Sequence, residues 1–316
     1  MNVNIIQSFA QKKVLLVGDV ILDVYIQGKS AGQALGVSVP RIEEVHTSVA
    51  FGGNGLVANN ILELGGILYF VSIVGADGDA KLYNSLRHKR LHKFFFTDKS
   101  RRTTVKKRLF VDGKRLLHLN SADNHTIDGK LENKIIAQVE SLVDKVDVVV
   151  IMDPQHGLLT RKLIKKLLDL SKKFQKPLYI DAQIAHRKSN HHLYAGAHTM
   201  LLNENEAKAV YPSFNPLEPE KSIKRIQQKL HLQNVIVKLG ENGSIALISD
   251  TFIKTAPRRV DAVDPVGAGD AFLAAVCLGD RNNPKDTLEV ANIWAALSTT
   301  IPGTTPPKKK ALLTIV

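Results

Sequence analysis

The chain has 316 residues, 44% of them hydrophobic and 23% charged, with a single cysteine; this supplies core enough for one large α/β domain or two small ones and excludes an intramolecular disulfide. The formal charge of +13 raises nucleic-acid binding, but the basic residues are dispersed and aromatics make up only 6%, which leaves small phosphorylated molecules, not nucleic acid, as the expected anionic partners. No apolar run is long enough to span a membrane and Met1–Ile6 lacks a secretory pattern, so no membrane partner and a reducing, cytoplasmic setting are expected, with Cys277 packed in the core.

Taken in chain order, short β-branched runs alternate with helical periods. Val14–Val17 reads as a buried parallel strand and ends in Gly18-Asp19-Val20-Ile21-Leu22-Asp23. A loop at the C-terminal end of such a strand faces the ligand crevice; Asp19 and Asp23 there can accept hydrogen bonds from a polyol, or cap a turn. Residues 24–50 lack a helical period and read as strands of a separate small sheet. Phe51-Gly52-Gly53-Asn54 leads into a helix over 54–64. Gly52 and Gly53 would let the backbone approach a ligand, with Asn54 as a nearby amide. The Gly53-x-Gly55-x-x-Ala58 spacing is a weak dinucleotide signal because it does not follow the first strand, and no Walker A sequence exists.

Phe70–Val74 is the next strand, then a Gly75-Ala76-Asp77-Gly78 turn and a helix near 77–89. Residues 103–120 form two extended runs around Asp112-Gly113, the signature of a hairpin; Lys106 and Arg108 lie on the first run and can protect a strand edge. Helices near 128–143 and 160–174 bracket a strand at Val146–Ile151, and Arg161 to Lys173 carries its cations on a solvated face. Strands at Leu178–Ile180 and Val235–Val237 and helices near 217–230, 268–279 and 286–299 complete the alternation, which implies a doubly wound α/β sheet. His186, His191, His192 and His198 have no metal-ligand spacing, and Lys308–Lys310 reads as a solvated turn.

Asp264-Pro265-Val266-Gly267-Ala268-Gly269-Asp270 opens directly into the apolar run Ala271–Val276. Small residues at a helix N-terminus let the amides of Gly267, Ala268 and Gly269 converge on an anion. A carboxylate in the same turn, Asp270, can accept the proton of an attacking hydroxyl, a pairing that suits phosphoryl transfer. Read locally, the same string is also a tight turn with a capping Asp.

The wider string resembles the second signature of the ribokinase-like (PfkB) sugar kinases, D-T-x-G-A-G-D, with Pro265 where Thr is usual. The resemblance spans the chain and implies a single ribokinase-like kinase unit over 1–316. Its mostly parallel sheet would be flanked by helices, a small β lid would lie within 24–50 and 103–120, and a homodimer would form through the lid. It implies ATP and Mg²⁺, Asp270 as general base, and Asp23, less so Asp19, on the sugar. The G-G-x-x-x-N signature is matched at Gly52-Gly53, but its Asn falls near Leu56 or Val57. Asn203-Glu204-Asn205-Glu206 matches the N-x-x-E element that organises Mg²⁺ through water. Lys238-Leu239-Gly240-Glu241-Asn242-Gly243 resembles the L-G-x-x-G turn at the ATP phosphates, with Lys238 in place of Thr and with Asp264 also assigned to the nucleotide. Arg101 to Arg108 resembles the R-P-T-T-V-K-x-R segment of the heptose 7-phosphate kinase branch, which implies that Lys106 and Arg108 meet a phosphorylated sugar.

Departures from that branch lie on the sugar side. Asp153-Pro154-Gln155-His156-Gly157 replaces D-Y-x-K-G, His118 and Asn120 replace Arg and Asp, and Asp181-Ala182-Gln183 replaces D-P-K. Two other classes therefore stay open: a relative that binds sugar or nucleotide without turnover, and a nucleic-acid-binding protein motivated by charge alone.

Overall fold

The structure is a computed structural model that describes residues 3–184 and 189–315. Its strands are β1 (Lys13–Val17), β2 (Val20–Gln33), β3 (Pro40–Gly53), β4 (Ile67–Gly75), β5 (Leu91–Asp98), β6 (Thr104–Val111), β7 (Lys114–Ser121), β8 (Val148–Asp153), β9 (Leu178–Ala182), β10 (Thr199–Asn203), β11 (Asn234–Lys238), β12 (Ser244–Ile248) and β13 (Thr251–Thr255). The helices are α1 (Val3–Ser8), α2 (Asn54–Leu64), α3 (Ala80–Ser85), α4 (Gly129–Glu140), α5 (Arg161–Lys173), α6 (Glu204–Val210), α7 (Pro219–Leu230), α8 (Ala268–Leu278), α9 (Pro284–Thr299) and α10 (Lys309–Leu313).

A nine-stranded sheet runs β13-β12-β11-β10-β9-β8-β1-β4-β5, parallel from β11 to β5 and antiparallel in the β11-β12-β13 meander. Its central strands are apolar on both faces because helices cover both. Leu16, Val150, Leu201 and Ile236 pack with α2, α8 and α9 on one side. Leu15, Val149, Met200 and Val235 pack with α4, α5 and α7 on the other. This period-2 split of continuous apolar runs is what a doubly covered parallel sheet requires. α8 is buried nearly all round and lies in the core, with its first turn at the C-terminal edge of the strands.

The second sheet is β3-β2-β6-β7. β2 and β3 form a long antiparallel pair, β6 runs parallel to β2, and β6 and β7 are joined through Asp112 (φ 48°) and Gly113 (φ 77°), both left-handed as a tight two-residue hairpin turn demands. The sheet begins earlier and ends later than 24–50, at Val20 and Gly53. The helix expected over 77–89 closes at Ser85, because the half-buried run Leu91–Asp98 joins the large sheet beside β4.

Candidate active site

The C-terminal ends of β1, β8, β9, β10 and β11 and the N-terminus of α8 open on one cleft. In the turn before α8, Gly267 has φ 86° and a Cβ on it would lie 2.4 Å from Leu56 Cδ2, so only glycine fits against this neighbour. The Ala268 N–H donates to the Pro265 carbonyl at 3.3 Å, while the amides of Gly267, Gly269 and Asp270 have no acceptor among the described residues. Of the three amides assigned to the anion hole, that of Ala268 is thus folded back into the loop. Gly267 and Gly269, joined by Asp270, keep free donors at the positive end of α8.

Asp270 keeps part of its surface open to the cleft. Its carboxyl is pushed up to about 8, first by burial and then by Asp181; Lys238 draws it back, Asp23 adds to the rise and Lys106 opposes it. One carboxylate is therefore in electrostatic reach of two clusters on opposite sides of the cleft.

The first cluster is on the small sheet. Arg108 Nη1 donates to Asp23 Oδ1 at 2.6 Å, with both side chains buried. A Cβ on Gly52 would lie 2.1 Å from Asp23 Oδ2, so the glycine makes room for the carboxylate; Gly53, at φ 54°, then turns the chain into α2. The Arg108 guanidinium also covers the Tyr25 ring at 5.3 Å. Lys106 stands beside Asp23 in the β2-β6 register, and burial lowers its pKa against the pull of Asp23. His118 and Asn120 lie opposite Arg108 and Lys106 in the β6-β7 register. His118 is held below the usual histidine range, by burial and then by Arg108 and Lys106.

Asn54 and Asp19 sit behind this cluster. The Asn54 Nδ2 donates to the carbonyls of Asp19 (2.9 Å) and Met152 (2.8 Å) and is fully buried. Its Nδ2 thereby ties the β1 loop to β8, while its Oδ1 has no hydrogen-bond partner. Asp19 accepts from the Leu158 N–H at 3.2 Å, while its Oδ2 has no hydrogen-bond partner. Burial, and then Asp153, push its carboxyl up to about 7 against the pull of Arg101. An acid that keeps its proton in the folded state stabilises most below its unfolded value near 3.8, and loses that contribution as pH rises to the folded value. Asp19→Asn, neutral throughout, should therefore gain on the wild type between pH 5 and pH 7 by about 2 kcal/mol in urea denaturation, and no further above pH 7. An equal difference at both pH values would contradict this.

The second cluster is on the large sheet. Lys238, ending β11, makes a hydrogen-bonded ion pair with Asp181 of β9, and a Cβ on Gly269 would be 3.4 Å from the Lys238 Nζ. Asn203 and Glu206 close a capping box at the start of α6: the Asn203 N–H donates to Glu206 Oε2 at 2.7 Å and the Glu206 N–H to Asn203 Oδ1 at 2.9 Å. Burial, and then Asp181, raise the Glu206 carboxyl to about 7 while Lys238 lowers it. A cavity of about 1160 Å³ adjoins them, lined by Asn203, Lys238, Gly240, Gly243, Arg258 and Gly269 among others, ample for a nucleotide. Gly243 (φ 82°) passes against the chain at Thr255, whose carbonyl a Cβ would approach to 2.2 Å. Asp264, assigned to the nucleotide, spends both oxygens on backbone, accepting from Val266 N–H at 3.0 Å and Gly303 N–H at 3.1 Å. It shapes the anion turn from behind.

Asp181, read above only as part of a departure from the heptose branch, and Arg258 and Arg259 were not assigned to the site from the sequence. The first could have been found, since it lies at a strand's C-terminal end; the two arginines sit on a loop with no local pattern. Of the histidines, His186 lies outside the described residues, His191 is buried with Nδ1 2.6 Å from Ser189 Oγ, and His198 stacks at a tilt on Tyr179. No metal-binding group of three acids, histidines or cysteines occurs among the described residues, and no helix there is long and apolar enough to cross a membrane.

Against known proteins, the profile of the pfkB family carbohydrate kinases matches residues 11–311. The bifunctional protein HldE of Helicobacter acinonychis (strain Sheeba) is 26% identical over 294 residues, covering 90% of this chain and 62% of that protein. HldE of Campylobacter fetus subsp. fetus (strain 82-40) is 27% identical over 290 residues with the same coverage. The chain thus spans about 62% of the length of these curated relatives. Escherichia coli phosphofructokinase-2 in complex with potassium superposes with a TM-score of 0.77 at 18% identity, covering 96% of this chain and 97% of that one. Arabidopsis thaliana ribokinase complexed with ribose and ATP gives 0.73 at 17%, covering 96% and 98%. The fold is ribokinase-like.

Proposed function

Since the chain belongs to the pfkB family of carbohydrate kinases, we propose that it transfers the γ-phosphoryl group of ATP to a hydroxyl of a sugar or sugar phosphate, heptose 7-phosphate first among the acceptors. The observation that carries the reading is Asp270, coupled at once to Asp23 and Lys106 on one side and to Asp181 and Lys238 on the other. Such a carboxylate sits where an acceptor and a phosphate would meet.

Asp23 orients the acceptor hydroxyls, and Lys106 with Arg108 faces the phosphate of a phosphorylated sugar. Asp270 takes the hydroxyl proton as the oxygen bonds to the γ-phosphorus and the bond to the β-phosphate oxygen breaks, releasing ADP. The amides of Gly267 and Gly269 and the Lys238 ammonium take up the charge of the transferring group. Asp181, Glu206 and Asp270 lie in electrostatic reach of Lys238 but form no direct metal-ligand group among the described residues, which suits a cation held through water and not by protein ligands. Mg²⁺, when bound, neutralises phosphate charge, and Asn203 and Glu206 would hold it through water.

The kinase unit runs over 1–316 with the small sheet as lid. The exposed apolar residues of that sheet, Val45 and Val49 on β3 and Leu117 and Leu119 on β7, make a second copy of the chain its fitting partner. Neither a membrane nor a nucleic acid is part of this reading, and the cytoplasm is its setting.

Heptose 7-phosphate, fructose phosphates, ribose, fructose and nucleosides, each with Mg-ATP, test the acceptor through ADP release. One acceptor should raise ADP release well above the acceptor-free rate. His118, Asn120 and His156, which replace the heptose branch's polar residues, favour a second reading: binding without turnover. Sugar or ATP binding with no acceptor-dependent ADP would support that one.

A further inference from the structure

At the end of the large sheet away from the cleft, a recess of about 330 Å³ opens beside the first residues of β1, β8 and β9 and the last turn of α8. α8 has 11 residues, about 16 Å at 1.5 Å per residue, so the recess and the anion turn stand at its two ends. The floor is buried and includes Val148, Tyr179 and Cys277. Three cations, Lys12, Lys176 and Arg281, line the same recess, and none of their charged groups makes an ion pair or a hydrogen bond among the described residues. Tyr179 is only 6% exposed, yet its hydroxyl also has no hydrogen-bond partner there, where a buried phenol is ordinarily paired. That oxygen is not sealed in protein, so it reaches the open space of the recess. Two carboxylates border the cations, and both are engaged. Asp147 Oδ2 accepts the Lys13 N–H at 2.8 Å. Asp280, in electrostatic reach of Lys12 and Arg281, accepts from the Asn282 N–H at 2.9 Å and from Asn283 Nδ2 at 2.6 Å. His198, packed on the Tyr179 ring, is held down to about 4 by burial and then by Arg281, and adds no charge at neutral pH.

We propose that this recess binds a phosphate dianion, free or as the head of a small monoester, between Lys12, Lys176 and Arg281, with the Tyr179 hydroxyl as a neutral donor. The site is separate from the cleft and stands without the kinase reading. A phosphate monoester carries close to two negative charges at neutral pH and three acceptor oxygens, a match for three cations and one hydroxyl. The volume admits a phosphate with a short carbon chain and is far below the 1160 Å³ of the cavity beside Lys238. The carbonyl ends of α5 and α8 border the recess and give the cations a second, purely structural use, balancing the helix ends. That use alone leaves the Tyr179 hydroxyl unpaired, whereas a bound anion accepts from it.

Isothermal titration with inorganic phosphate, in about 0.15 M chloride to screen loose surface pairing, should include one saturable site that belongs to the recess. Lys176→Met/Arg281→Met should weaken that site by about 10- to 100-fold, the loss of charge-assisted hydrogen bonds. Both side chains are at least partly exposed, so the variant should fold as the wild type does. Tyr179→Phe keeps the ring and should weaken the site by about 3- to 10-fold, the scale of one neutral hydrogen bond. Lys106→Met, in the cleft, should leave it in place, and Mg-ADP should bind the wild type and the recess variants alike. Glycerol 3-phosphate should compete with phosphate for the site; tighter binding of either one identifies the free ion or the monoester as the better occupant. Phosphate binding that is absent from the wild type, unchanged in both recess variants or lost only in Lys106→Met would overturn the proposal. A lower melting temperature of Lys176→Met/Arg281→Met with unchanged phosphate affinity would do the same and assign the cations to the helix ends.

Discussion

Asp270→Asn should lower turnover by about a thousandfold, the scale of a lost general base, while Mg-ADP affinity and the melting temperature change little. Asn has the shape of Asp and can fill the same place on the first turn of α8, so the seat of Gly267 against Leu56 survives. What is lost is the acceptor for the hydroxyl proton. The same group sets the pH dependence. Its carboxyl stands at about 8 in the ligand-free protein, for the burial and carboxylate neighbours described. A base works only when deprotonated, so kcat/KM for the acceptor, taken at Mg-ATP far below saturation so that it reports the unliganded enzyme, should fall about tenfold per pH unit below that value. The residual rate of Asp270→Asn should be flat over the same range. A variant with wild-type turnover, or one that keeps the acid limb, would remove Asp270 from the role of base.

Arg108→Met should cost about 3 kcal/mol of stability, the scale for a buried ion pair broken on one side, because it strands Asp23 in the small sheet. The only ion pair that Asp23 makes among the described residues is the 2.6 Å contact with Arg108, and both side chains are less than a tenth exposed. Removing both charges, in Asp23→Asn/Arg108→Met, should restore most of the stability, since two neutral groups need no compensation there. It should not restore function: KM for the acceptor should stay raised, because the polyol has lost its carboxylate. Urea denaturation of the wild type, the single and the double variant reads the first effect, and acceptor kinetics read the second. A double variant no more stable than Arg108→Met would contradict the ion-pair account.

The legible parts of this protein are those in which the local pattern and the tertiary role coincide. α2 falls on Asn54–Leu64 as expected because Gly53 and Gly65 bound a continuous apolar period. The parallel strands announced themselves as short β-branched runs because helices bury both of their faces. The β6-β7 hairpin was visible in Asp112-Gly113. The β12-β13 hairpin of the large sheet was not, since its turn residues Ser249 (φ 48°) and Asp250 (φ 63°) take left-handed angles without a glycine to mark them. β5 was hidden because Leu91 to Thr97 is mostly half-buried and carries no alternation.

At the site, the turn before α8 and Asp270 stand out in the sequence because a glycine pattern and a carboxylate occupy one turn. The hydrogen-bond partners of Asn54 and Asp264 do not, because an amide or carboxylate beside a glycine turn can meet carbonyls or N–H groups far along the chain. The pairing of Asp181 with Lys238 spans 57 residues and depends on the order of three strands, which no local window contains.

The central claim is that this cleft moves a phosphoryl group, with Asp270 as the base. Transfer of radiolabel from γ-labelled ATP to the sugar phosphate, compared between the wild type and Asp270→Asn, tests it most directly. Label should appear on the acceptor with the wild type, in step with ADP formation, and be nearly absent with the variant. Label released only as inorganic phosphate, or transferred equally by both proteins, would contradict the account.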